Sequence, residues 1–142
     1  MTVAAAIHGH LGVLAAVALL HPALLLWRGA PLSRRGRWAV SLSTLITSAA
    51  FGLGVAIYEA YRADVRRELY REAPAVALLF ETKEHLAFAV ICLALGGLAC
   101  ALLAPDRSLR VLAARLYLAA SLACAIVVSL GTLVAATRGF GS

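Results

Sequence analysis

The chain has 142 residues, of which 63% are hydrophobic and 14% charged, and its mean hydropathy is +0.90. A soluble domain carries about 25% charged residues and roughly 45–50% apolar ones, and an interior of this size cannot hide the excess. Soluble globular, disordered and disulfide-scaffold classes are excluded. The net charge of +6 points to anionic lipid and not to nucleic acid, for which there is no stacking or basic-groove pattern.

Residues 1–27, 38–58, 86–105 and 116–137 contain no Asp, Glu, Lys or Arg. A bilayer core of about 30 Å needs roughly 20 apolar residues in a helix, so each stretch can cross once. The runs neither alternate nor match the short strands of a membrane barrel. The expected fold is an all-α, integral membrane four-helix bundle. One transmembrane domain covers residues 1–142, with spans at about 4–27, 38–60, 85–104 and 112–137.

Taken in chain order, the first span is an uncleaved helix: its first basic residue, Arg28, follows the apolar run, whereas a signal peptide begins with its positive charges. Arg28, Arg34, Arg35 and Arg37 crowd the first connection among Gly29, Pro31 and Gly36. After the second span, residues 59–84 set Arg62, Arg66, Arg67, Arg71 and Lys83 against six acids. Tyr61, Val65 and Leu69 recur at helical spacing, so the second helix is expected to run on as a solvated extension until Pro74 ends it. Residues 75–80 are apolar but too short to span, and are expected at the interface. The third connection holds Arg107, Arg110 and Arg115 around Asp106. Basic residues near helix ends number seven on the side of the first and third connections and six on the other, Arg138 included. Positive-inside reasoning then puts both termini outside, with a bacterial inner membrane as the expected location.

The chain also repeats itself. His10-Leu11 opens one hairpin and His85-Leu86 another, 75 positions later, while Leu53-Gly54 recurs as Leu130-Gly131 after 77. Two tandem hairpins would be related by a pseudo-two-fold axis along the membrane normal.

His10 and His85 occupy matching places near the outer ends of the first and third spans, which are diagonal in a four-helix bundle. Two neutral imidazoles across a bundle axis suit axial ligation of haem iron. Gly54 and Gly131, about six residues from the outer ends of the partner helices, should lie at the same depth and make room for the ring. Arg62, Arg66, Arg67, Arg138 or Lys83 would then bind the propionates. On these residues, His10-Leu11, His85-Leu86, Gly54 and Gly131, the chain resembles small four-helix membrane cytochromes of the b type. The resemblance implies one haem b per chain, electron transfer, and work beside protein subunits of a larger redox complex, with a quinone or a cytochrome c as a further partner. Such families often hold a second histidine pair deeper in the membrane. Here His21 matches Gly96, beside Gly97, on the third span.

His21 is read as a polar residue served by Thr44, Thr47 or Ser48, the sharper alternative being a five-coordinate haem or a quinone contact. His8, about 200° around the helix from His10, is expected at the interface or a propionate. A metal-dependent enzyme site built from His8, His10, Glu59, Glu81 and His85 is a competing class, although Glu81 and Glu84 also suit the positive N-terminus of a helix. A cofactor-free structural or assembly subunit is the first alternative to the haem reading, and the metal-dependent enzyme the second. Cys92, Cys100 and Cys124 lie within spans without metal-site or haem-attachment spacing and read as small buried hydrophobes.

Overall fold

The computed structural model describes residues 3–103 and 106–139, and every regular element in them is helical. The order is α1 (Val3–Leu26), α2 (Arg34–Tyr61), a π-helical turn (Arg62–Arg66), α3 (Arg67–Glu72), α4 (Pro74–Leu103) and α5 (Arg107–Gly139). Helices α1, α2, α4 and α5 are long and apolar enough to cross a membrane. Ala and Leu dominate them, and both have high helix propensity. Ala104 and Pro105, together with the side chains of Tyr61, Val65 and Arg138, lie outside the described residues.

The helices extend past the apolar runs. Ser33 caps α2, accepting a hydrogen bond of 3.1 Å from the Gly36 N–H, so the helix begins four residues before the expected span. Pro74 differs from expectation in a more instructive way. It starts α4 instead of merely ending the preceding element, because a first-turn residue has no helical acceptor for its N–H to lose. Residues 75–80 are therefore the opening turns of a membrane helix and not a separate interfacial piece.

Packing closes a ring. Helix α1 touches α2 and α5, and α4 touches α5 and α2, leaving α1 and α4 diagonal as the sequence implied. The core is lined with small residues, among them Ala15, Ala23, Ala94, Ala101, Ala113 and Ala120, with Leu19, Leu26, Val40 and Tyr117 filling the larger spaces. Lipid supplies no hydrophobic drive between helices, so close approach and hydrogen bonds must hold them. Ser121 Oγ on α5 donates to the Ala16 carbonyl (2.8 Å), and Cys124 Sγ donates to the Gly12 carbonyl (3.6 Å). Pro22, inside α1, has no N–H to offer the Ala18 carbonyl. Ser43 Oγ on α2 reaches that carbonyl at 2.8 Å, sharing its one proton with the Ala39 carbonyl of its own helix at 2.9 Å.

Several buried positions recur along the chain at the shifts of 75 and 77. Ala15, Leu19 and Leu26 are buried on α1, and Val90, Ala94 and Ala101, 75 positions later, are buried on α4. Val40, Ser43, Thr44 and Thr47 on α2 correspond in the same way to Tyr117, Ala120, Ser121 and Cys124 on α5, with a shift of 77.

At one end the two basic connections interlock. Arg110 Nε donates to the Gly29 carbonyl (2.8 Å) and Arg107 Nε to the Arg28 carbonyl (3.4 Å). Gly29 has φ +67, and a Cβ there would lie 2.6 Å from Arg107 Cγ. Gly29→Ala is expected to destabilise the bundle by at least the cost of left-handed backbone, about 1–2 kcal/mol. Unfolding in mixed micelles measures it.

Candidate functional site

The histidines expected to face one another do not. His10 and His85 are both exposed on diagonal helices, turned away from the bundle axis. Each ring donates its Nδ1–H to the carbonyl one turn back: His10 to Ala6 at 2.7 Å, and His85 to Glu81 at 2.8 Å. A carbonyl can only accept, which fixes the tautomer and leaves the Nε2 lone pair directed outward.

The residues two positions earlier face inward instead. His8 is half-buried, and its Nδ1 donates to the Ala50 carbonyl of α2 at 3.0 Å. Its ring occupies the space over Gly54, where a Cβ would stand 2.8 Å from His8 Cε1. On the other hairpin the half-buried Lys83 lies over Gly131, its Cε and Nζ each 3.4 Å from the position a Cβ would take. His8 and Lys83 are within electrostatic reach of one another. Gly54 and Gly131 thus make room for side chains of this chain, and the expectation that they clear space beside His10 and His85 is corrected. The reason is helical phase. Two residues turn about 200° at 100° each, so His8 and His10 present opposite sides of α1.

A polar cluster surrounds this pair. Glu84 is half-buried beside Lys83, and its Oε1 has no hydrogen-bond partner among the described residues. The Lys83 ammonium sits 5.1 Å from the Phe80 ring centroid, within cation–π range. Further out, Glu81 Oε1 accepts from Arg66 Nη2 (2.7 Å) and from the Tyr70 hydroxyl (2.6 Å). Arg66 is thereby engaged with a carboxylate of its own chain, and its guanidinium also lies 5.7 Å from the Tyr70 ring centroid. Arg62 and Arg67 are exposed.

The bond to Glu81 holds the Tyr70 phenol above its ordinary range, because ionisation would set a phenolate against a carboxylate. The same carboxylate raises Arg66. Folding therefore favours the protonated phenol, and this contribution is lost as pH rises through the folded-state value. Glu81→Gln should bring Tyr70 back toward about 10, read by ultraviolet difference titration against a Tyr70→Phe control.

His21 is exposed and does not meet the hydroxyls of α2. Thr44, Thr47 and Ser48 instead donate to the carbonyls of Val40, Ser43 and Thr44 within their own helix. No group of three or more metal-ligating side chains forms among the described residues, so His8, His10, Glu59, Glu81 and His85 are not gathered into one metal site. Of the cysteines only Cys124 is buried; Cys92 is exposed and Cys100 intermediate. Lys83 and His8 are the inward polar pair that sequence reasoning missed. Once the buried arc is known the placement follows: His8 continues the row Ala15, Leu19, Leu26, and Lys83 the row Val90, Ala94, Ala101, at identical spacing.

No protein-family model, curated protein or solved structure matches the chain.

Proposed function

We propose that this chain is a cofactor-free, membrane-embedded structural subunit of a larger assembly, in which outward histidines meet groups on neighbouring chains. The supporting observation is the exposure of His10, His21 and His85 on helices long enough to span a bilayer. Ionisable residues in membrane helices normally face a bundle interior or a polar cavity, and a polar group buried in an apolar medium without a partner costs roughly 2–7 kcal/mol. Neighbouring chains would remove that cost. The experiment is purification in a mild detergent, with mass and composition determined for the native chain and for a His10→Leu, His21→Leu, His85→Leu variant. A stable assembly that the variant loses is the expected result. A native chain that is monomeric in its own membrane overturns the reading.

A haem b electron carrier is the second reading, and one observation favours it specifically. The Nδ1–H bonds of His10 and His85 orient their rings and leave Nε2 free of any protein partner among the described residues, as an iron ligand requires. His10 or His85 would hold the haem iron, which would supply one-electron transfer with a quinone or cytochrome c as partner. A reduced-minus-oxidised spectrum with a b-type α-band, lost in His10→Ala or His85→Ala, supports it. A colourless assembly rejects it and leaves the first reading in place.

A further inference from the structure

The bundle has a charged end and a neutral end. Arg28, Arg34, Arg35 and Arg37, from the first connection and the start of α2, meet Arg107, Arg110 and Arg115 of α5, and Asp106 is the single carboxylate among them. That end carries the entire formal net charge of +6. The opposite end, where α3 and the start of α4 gather with the close of α2 and α5, holds six acids against six basic residues. The ion pair between Arg66 and Glu81 is there. Folding sharpens the imbalance, because the bonds from Arg107 and Arg110 to the Arg28 and Gly29 carbonyls draw the two basic connections together. Like charges so gathered repel one another, and one carboxylate cannot neutralise seven guanidiniums.

We propose that this end binds the headgroups of anionic phospholipid, which supply the missing negative charge. Guanidinium pairs with phosphate through two parallel hydrogen bonds. Placement favours lipid over a soluble polyanion. The two connections span only residues 27–33 and 104–106, so the arginines stay beside the helix ends and cannot reach far into water. All of them except the half-buried Arg110 are exposed. Trp27 and Trp38 are exposed at the same end, and tryptophan settles at headgroup level. Arg28 adjoins Trp27 and Arg37 adjoins Trp38, which sets guanidiniums near the plane of the lipid phosphates. Clusters of basic residues beside a membrane helix attract anionic lipid within about a Debye length. The surface is complete within one chain, so it serves a single copy and an assembly alike.

Trp27 and Trp38 are the two tryptophans of the chain, so its tryptophan fluorescence reports the lipid at this end alone. The test reconstitutes the full chain in phosphatidylcholine vesicles containing a small fraction of brominated phosphatidylglycerol or, separately, the same fraction of brominated phosphatidylcholine. Brominated phosphatidylglycerol should quench several-fold more, because it collects beside the arginines. Arg34→Gln, Arg35→Gln and Arg37→Gln together should remove most of that preference. Arg62→Gln, Arg67→Gln and Arg71→Gln, at the neutral end, should leave it intact. Equal quenching by the two lipids in the native chain overturns the proposal, with no variant needed. An undiminished preference in the α2 variant overturns it as well. So does a preference abolished by inorganic phosphate at constant ionic strength, which would put free phosphate, and not lipid, on this surface.

Discussion

Replacing Tyr117 with Ala is expected to cost more stability than any other single change in the bundle interior, about 3–5 kcal/mol by analogy with aromatic-to-Ala truncations. Tyr117 is fully buried and is the largest such side chain. From α5 its ring lies against Gly97 of α4, where a Cβ would stand 3.1 Å from Cδ2 and Cε2. Its hydroxyl reaches α2, 2.9 Å from Thr44 Oγ1 and 3.3 Å from the Val40 carbonyl. One side chain therefore ties three of the four membrane helices together, and truncation opens a cavity where they converge. Tyr117→Phe should cost only about 0.5–1.5 kcal/mol, since Thr44 keeps its own bond to Val40 at 3.0 Å. Unfolding of both variants in mixed micelles separates the packing contribution from the hydroxyl. Equal losses would show that the hydroxyl, and not the ring, carries the contact.

Gly54→Leu should be the next most damaging substitution, and Gly131→Leu markedly milder, although both glycines follow a leucine at positions 77 apart. Forcing extra methylenes into a filled interface costs about 1–3 kcal/mol or more. At Gly54 the obstacle is the His8 ring, which is held by its bond to Ala50 and can move only by breaking it. At Gly131 the obstacle is the far end of a flexible lysine. The Ala variants sharpen the contrast: Gly54→Ala should be measurably destabilised, whereas Gly131→Ala, meeting nothing closer than 3.4 Å, should be close to neutral. Equal losses at the two sites would mean that Lys83 is fixed as firmly as His8.

Composition determined the membrane environment and the number of crossings, because bilayer thickness and the cost of charge act on stretches of sequence without reference to any neighbour. The meeting of the two basic connections followed from the same count, since an even number of crossings between them returns the chain to one side. A fixed rise per residue likewise set the levels at which the histidines and glycines of the two hairpins were expected.

Direction was not legible from those pairs alone. His8 and His10 sit at nearly one depth and face opposite ways, and only the neighbouring helices reveal which arc of α1 is covered. The Gly54 and Gly131 spaces could be recognised from sequence, but their occupants, His8 and Lys83, could not be chosen without that arc. His21 posed the same problem. Whether Thr44, Thr47 and Ser48 serve a histidine or their own helix depends on how α1 is rotated against α2. Pro74 was ambiguous for a related reason, since a missing N–H harms a helix interior and costs nothing in a first turn. Local chemistry sets what each segment is and how deep it lies; rotation about each helix axis is decided by tertiary packing, because it depends on every neighbour at once.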